Sequence, residues 1–506
     1  MTVFILVSGM FTGPHVWEDT AAQLASQGAG VHAVALTGLD RSRAAEAAGI
    51  DLETHISDVL AVIDSVDAAA GREIVLVGHD YGIHPALGAA DRRSELIDRI
   101  VYLDSGMPQD GVPALAAVPD QSLREELAGQ TGADGTQREL PSPARDEWQR
   151  WGSTAGIPDA ALDRLTALAA PQPLRTLLQP LRLTGAVASL PLTGVLCNKN
   201  GASIELVQMR VGFGDPALQV LTEPRVTFFE LPTGHWPMLS LPAELADVLM
   251  RAAAGGGHRL VPPGSAEQPA HLRPFLLDVP DIPRERTGNV DLYLPDAEDP
   301  RPAVVFVHGG PVPAEARPTP RDWPGLIGYA RYAAGQGVVG VTLDHRLHDL
   351  ADYERAAADV AAAVELVRAD PRVDADRVAL WFLSGGGLIA ADWLRRPPAW
   401  LRCLAASYPI LAPLPNWGLL DSRFHPVNAV ADAGTLPVVV TRVGREMPEI
   451  AATVEEFLTA STGCGANVEV VDVPNGRHSF DTVDPTEESR EAVHRAMRSV
   501  LTHLAA

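Results

Sequence analysis

The chain has 506 residues, of which 46% are apolar and 21% charged, with a net charge of −24. That length exceeds one ordinary core, and the balance is that of a soluble protein of two or three domains. Such acidity argues against nucleic acid or an anionic membrane surface as a partner and leaves a small-molecule substrate open.

Met1–Val7 lacks a basic leader and reads as a first core strand, and no apolar run is long enough to span a bilayer. Strand-like runs then follow at Val31–Leu36, Ile74–Val77, Ile100–Leu103, Leu192–Cys197 and Val226–Leu231. Helical patterns fall at Trp17–Gln27, Leu52–Val66 and Leu241–Ala253. After residue 254 come a glycine triplet and Pro262-Pro263-Gly264-Ser265, which read as a linker over 255–272. The alternation resumes with strands at Ala303–Val307, Val338–Leu343, Val378–Trp381, Cys403–Tyr408, Pro437–Thr441 and Val468–Val473. Helices are expected at Tyr353–Arg368 and Ser489–Leu504. This is an α/β pattern of two mostly parallel sheets flanked by helices, over residues 1–254 and 273–506. Cys197, Cys403 and Cys464 form neither a disulfide framework nor a metal-spaced cluster, which fits a reducing, cytoplasmic compartment. The Ala, Arg, Val and Pro bias has the look of a high-GC bacterium.

One turn occurs twice. Ile74–Val77 leads into Gly78-His79-Asp80-Tyr81-Gly82, and Val378–Trp381 leads into Phe382-Leu383-Ser384-Gly385-Gly386. Each passes from a strand through a glycine-bearing turn into an Ala-rich helix, and each resembles the nucleophile elbow of the α/β-hydrolase fold. The interval from Ser8 to Asp80 nearly equals that from His308 to Ser384. The halves diverge after the elbow. The stretch from Asp104 to Pro191 is far longer than that from Pro409 to Pro437, which implies a helical cap over about 108–188 in the first half.

The second half resembles dienelactone hydrolases and carboxylesterases. His308-Gly309-Gly310-Pro311 is similar to their oxyanion loop, and Gly476-Arg477-His478-Ser479-Phe480 to their terminal histidine motif. The resemblance implies Ser384 as nucleophile, His478 as base and Glu446 as acid, with Glu449 as the fallback. Gly310 and Gly385 are the expected oxyanion donors, because Pro311 has no N–H. Phe382 departs from the small residue usual two positions before the nucleophile.

The first half resembles plant-type methylesterases, hydroxynitrile lyases and their bacterial relatives. Val7-Ser8-Gly9-Met10 through Gly13-Pro14-His15-Val16-Trp17 is similar to their opening motif, with Ser8 in place of the usual histidine. Its elbow, His79-Asp80-Tyr81-Gly82, resembles that of haloalkane dehalogenases and epoxide hydrolases. A carboxylate there can attack an sp³ carbon and be released by a histidine-activated water. His235, in Thr233-Gly234-His235-Trp236-Pro237, is the natural base. The usual acid position carries Asn200, so Asp104, at the end of the strand before the cap, is the expected acid; a turn-forming role suits it equally. Met10, Tyr81, Trp148 and Trp151 are candidate oxyanion or substrate-binding groups, the tryptophans also suiting a pocket wall.

The resulting expectation is a tandem hydrolase of small organic molecules. Ser384 would cleave an ester or lactone, and Asp80 would open an epoxide or break a carbon–halogen bond. Two alternatives stand beside it for the first half: a lyase, cyclase or isomerase using Asp80 and His235 as an acid–base pair, or a non-catalytic binding domain. No metal-ligand or dinucleotide motif is present, so no cofactor and no metal are expected. The oligomeric state is open.

Overall fold

The apolar run after Met1 forms β1 (Thr2–Val7), buried along nearly its whole length, as suits a central strand covered on both faces. The computed structural model describes residues 1–39, 49–67, 72–118, 120–129, 139–262, 268–419 and 423–506. Its first unit comprises Met1–Val207, Val220–Val261 and Pro415–Gly418. The second comprises Gln208–Gln219, Pro262–Leu414 and Leu419–Ala506. Of the expected linker, residues 263–267 lie outside the described residues. Its start is not free chain: His258 exchanges two backbone hydrogen bonds with Phe228, of 2.7 and 2.8 Å.

In the first unit β1 is followed by β2 (Gly30–Ala33), β3 (Glu73–His79), β4 (Arg99–Leu103), a small antiparallel pair β5 (Glu139–Leu140) and β6 (Gln172–Pro173), then β7 (Leu192–Cys197) and β8 (Val226–Leu231). The main sheet is parallel throughout, in the order β2-β1-β3-β4-β7-β8. β2 is shorter than the sequence pattern suggests. After Val34 the chain leaves the sheet, and Thr37 is instead held by Asp58 through its backbone N–H and its hydroxyl. Helices Leu52–Asp67, Ile83–Arg92 and Pro242–Ala253 flank the sheet. Between β4 and β7 the described residues form short helices at Gln121–Gly129, Asp159–Leu168 and Leu174–Leu178. Residues 119 and 130–138 of the expected cap lie outside the described residues.

The second unit contains β9 (Arg284–Thr287), β10 (Val290–Tyr293), β11 (Arg301–Val307), β12 (Val339–Leu343), β13 (Val373–Leu383), β14 (Leu401–Ser407), β15 (Val438–Arg445) and β16 (Val468–Arg477). Their order is β16-β15-β14-β13-β11-β12-β10-β9, parallel except where β10 runs antiparallel to β12 and β9. The β9–β10 hairpin is absent from the sequence expectation. Its signal is the two-residue Gly288-Asn289 turn, in which Gly288 takes φ 58°. The β9 residues are polar and exposed, so this strand carries no apolar run.

Both sheets share one topological device. β1 lies between β2 and β3, and β11 between β12 and β13, so the chain order reverses there. The loops after β1 and β3, and after β11 and β13, therefore meet at a crevice beyond the carboxyl ends of the strands, where open α/β sheets bind ligands.

Candidate active sites

Asp80 follows β3 directly and takes φ 50°, a left-handed conformation costly for a residue with a Cβ. The turn closes only because its neighbours are small. A Cβ on Gly82 would stand 2.4 Å from the Ser8 carbonyl oxygen, and one on Gly78 would stand 2.5 Å from Ile83 Cα. Opposite the elbow, Ser8 is fully buried; its hydroxyl donates to Gly13 O and accepts from the Trp17 indole. Phe11 takes φ 62°, and its N–H is held by Gln172 Oε1 at 3.1 Å. This strained loop turns the Met10 N–H onto Asp80 Oδ2 at 3.0 Å.

The other carboxylate oxygen, Oδ1, lies 3.9 Å from His235 Nε2. His235 Nδ1 is 2.7 Å from Asp104 Oδ2. Asp104, at φ 45°, also accepts from Asn200 Nδ2 at 2.8 Å and from the Cys197 N–H at 3.0 Å. Asp80, His235 and Asp104 are thus brought together, with Asn200 bracing the carboxylate. Burial alone would depress His235, but the Asp104 hydrogen bond and charge, with the Asp80 charge, outweigh it and raise its pKa. With the proton on Nδ1 facing Asp104, Nε2 is left to act as a base.

The loop carrying His235 is clamped from two sides. His79 is depressed to about 4, first by burial and then by the neighbouring His235, so it stays neutral. Its Nε2 hydrogen-bonds the His235 carbonyl at 2.8 Å. From the cap segment, Ser153 O accepts the His235 N–H at 2.7 Å, and the Ser153 N–H donates to Asn200 Oδ1 at 2.7 Å. A Cβ on Gly152 would meet His235 at 2.5 Å.

Two of the candidate substrate-binding side chains have their polar groups engaged within the fold. The Tyr81 hydroxyl turns inward, 2.7 Å from His55 Nδ1, so the buried side chain does not offer it to a ligand. The Trp148 indole N–H donates to Thr166 Oγ1 at 3.0 Å, and its ring is fully buried against Phe11 and Trp236. Trp151 packs edge-on against Phe11 at 4.8 Å and is only partly buried, in keeping with a wall.

In the second unit Ser384 also takes φ 50°. Its Oγ lies 2.7 Å from His478 Nε2, and His478 Nδ1 lies 2.9 Å from Glu446 Oε2 and 3.0 Å from Oε1. Glu446 is further held by the Met447 N–H. The expected acid, Glu446, is thus hydrogen-bonded to His478. Gly309 and Gly385 let the loop after β11 approach the elbow: a Cβ on Gly309 would stand 2.8 Å from Ser384 Cβ, and one on Gly385 would stand 2.3 Å from Gly310 O and 3.4 Å from Gly310 N. Phe382 is buried between Val307 and Ala406 on the neighbouring strands. Three consecutive glycines, 385–387, in a 3-10 turn spanning Ser384–Ile389 give the room that Gly78 gives in the first unit.

A sequence model described as "Alpha/beta hydrolase family" matches residues 4–248. Residues 4–248 carry the parallel sheet and flanking helices of the alpha/beta hydrolase fold. A carbendazim hydrolyzing esterase of Nocardioides sp. is 29% identical over 257 residues, covering 49% of this chain and 98% of that protein. A probable hydrolase of Phoma sp. is 25% identical over 260 residues, covering 49% of this chain and 97% of its own. Among solved structures, an Arabidopsis methylesterase aligns with 18% identity and a TM-score of 0.40, over 51% of this chain and all of that one.

Within residues 4–248, the roles that the sequence does not show are those of Gln172, Ser153 and His79. Each acts through a backbone group of a residue distant in sequence, which no local motif encodes. Among the described residues no cluster of His, Cys, Asp and Glu could hold a metal ion, and no helix is long and apolar enough to cross a membrane.

Proposed function

We propose that the second unit hydrolyses a carboxylic ester or lactone of a small organic molecule through Ser384. The hydrogen-bonded relay from Ser384 through His478 to Glu446 carries this reading. His478 Nε2 takes the hydroxyl proton as Oγ attacks the acyl carbon, and Glu446 holds the Nδ1 proton and stabilises the imidazolium. The tetrahedral oxyanion faces the Gly310 and Gly385 N–H groups, and loss of one such donor costs about 3 kcal/mol. The imidazolium then protonates the leaving alcohol, and water, activated by His478, releases the acid. Hydrolysis of a p-nitrophenyl ester panel by the wild type, Ser384→Ala and Asp80→Ala tests the assignment. Loss of turnover in Ser384→Ala alone supports it; loss in Asp80→Ala alone moves the acyl chemistry to the first unit.

For the first unit, we propose a carboxylate nucleophile that opens an epoxide or displaces a halide. The supporting observation is the split role of the Asp80 oxygens: Oδ2 rests on the Met10 N–H while Oδ1 faces His235. Oδ1 would form a C–O bond as the carbon–halogen or epoxide C–O bond breaks, the halide leaving or the epoxide oxygen taking a proton from solvent, which the His235 imidazolium formed in the next step returns. His235 would then deprotonate a water that attacks the Asp80 carboxyl carbon. Negative charge gathers on Oδ2, against the Met10 N–H, before the alcohol departs and the carboxylate is restored. Mass spectrometry of His235→Gln after exposure to epoxides and alkyl halides should find the adduct on Asp80. Turnover without an adduct, and without ¹⁸O from labelled water entering wild-type Asp80, favours the acid–base lyase or isomerase reading. Ligand binding without turnover favours a binding domain.

A further inference from the structure

Three residues distant in sequence converge behind His478. Asp481 is fully buried in the short helix Phe480–Val483, one turn past the histidine. Its Oδ2 accepts hydrogen bonds from the Tyr329 hydroxyl at 2.9 Å and the Tyr408 hydroxyl at 3.0 Å. Its Oδ1 is buried and accepts none from any described residue. Tyr329 comes from helix Pro324–Gly335, and Tyr408 from the turn after β14. Tyr408 is held at φ 39°, an unfavourable conformation for an aromatic residue. Its ring packs edge-on against the His478 imidazole, with centroids 5.0 Å apart. Two residues on, the Ile410 N–H donates to the carbonyl of Ser384 at 3.0 Å. One carboxylate thereby ties the histidine segment to the turn that buttresses the elbow.

We infer that Asp481 is a positioning residue of the serine site: it anchors Tyr408 against His478 and supplies a second negative charge behind the imidazole. The inference rests on the proposed serine-hydrolase reading. Burial pushes the Asp481 carboxyl up to about 6, against the two phenol hydrogen bonds and the proximity of His478, which pull it down. The titratable groups facing it are Tyr329, Tyr408 and His478; burial drives both phenols well above 10, so they stay neutral donors. Above about pH 6 the carboxylate favours the imidazolium that forms as Ser384 loses its proton.

The test is the pH profile of kcat and kcat/KM on p-nitrophenyl butyrate for the wild type, Asp481→Asn, Tyr408→Phe and Ser384→Ala, each with a thermal melt. Asp481→Asn should lower kcat about 10-fold with KM little changed. Removing the charge makes His478 harder to protonate, so the acid limb should move down by about 0.5 pH unit or more. Tyr408→Phe keeps the ring but takes one donor from Asp481, which stays neutral to higher pH. The limb should shift in the same direction by less. A folded Asp481→Asn protein with an unmoved limb overturns the inference, even if its rate falls. If Asp481→Asn shows no cooperative melt, Tyr408→Phe decides: a downward shift supports the inference and an unmoved limb overturns it. Full turnover by Ser384→Ala instead refutes the serine-hydrolase reading itself.

Discussion

The two elbows share their backbone and differ in what occupies the space in front of it. Both elbow residues, Asp80 and Ser384, sit at φ 50°, both follow a central parallel strand, and both need a glycine two residues on. In the first unit the carboxylate reaches across and accepts the Met10 N–H itself, leaving His235 Nε2 3.9 Å from Oδ1. In the second, Ser384 is a single atom shorter in reach and bonds to its histidine at 2.7 Å. A hydroxyl needs its proton removed before it attacks, so it must touch its base. A carboxylate needs no such help, and in the proposed mechanism its histidine acts on a water instead. The supporting acids differ in origin as well. Asp104 comes from the end of β4 and Glu446 from just beyond β15, yet each meets Nδ1 of its histidine.

That contrast can be broken most sharply at the nucleophiles. Ser384→Ala should lower ester turnover by about 10⁴-fold or more, while Asp80→Ala leaves it unchanged in an initial-rate assay. Asp104→Asn should cost the first unit about 10²–10⁴-fold in epoxide or halide turnover, because the imidazole loses the partner that fixes its tautomer. In a Ser384→Ala background, Asp80→Ser should restore ester hydrolysis about 10-fold above the background, since Met10, His235 and Asp104 already surround the position. No gain there would mean that the first unit's cleft does not admit an acyl group. A smaller effect is expected on pH dependence. His235 must be neutral to act as base and its pKa is raised, so first-unit turnover should fall with acid through a midpoint above 6.5, and Asp104→Asn should lower that midpoint. The smallest contrast tests sameness. Gly82→Ala and Gly386→Ala each force a Cβ to about 2.4–2.5 Å from a carbonyl oxygen, so each should lose about 1–3 kcal/mol in denaturant unfolding.

Much of this was readable before any coordinates. Apolar runs, glycine turns and chain order pointed to Asp80, Ser384, His235, His478, Asp104 and Glu446, because an elbow writes its geometry into adjacent residues. What was not readable acts across long separations. The Gln172 hold on Phe11 spans 161 residues, and the Tyr329 hydroxyl bond to Asp481 spans 152. The partners of the Tyr81 hydroxyl and the Trp148 indole N–H, His55 and Thr166, were illegible for the same reason. The β9–β10 hairpin was missed because β9 is exposed and polar, while its Gly288-Asn289 turn was in plain view.

The bond from Met10 to Asp80 also fixes how the chain will be counted. Fluorophosphonates and boronates capture an activated hydroxyl whose oxyanion hole is open to the probe. In the first unit the elbow residue, Asp80, has no hydroxyl, and one of its own oxygens already fills the Met10 donor. Titration with such a reagent should therefore saturate at one equivalent per chain, all of it on Ser384, although the chain folds the same turn twice.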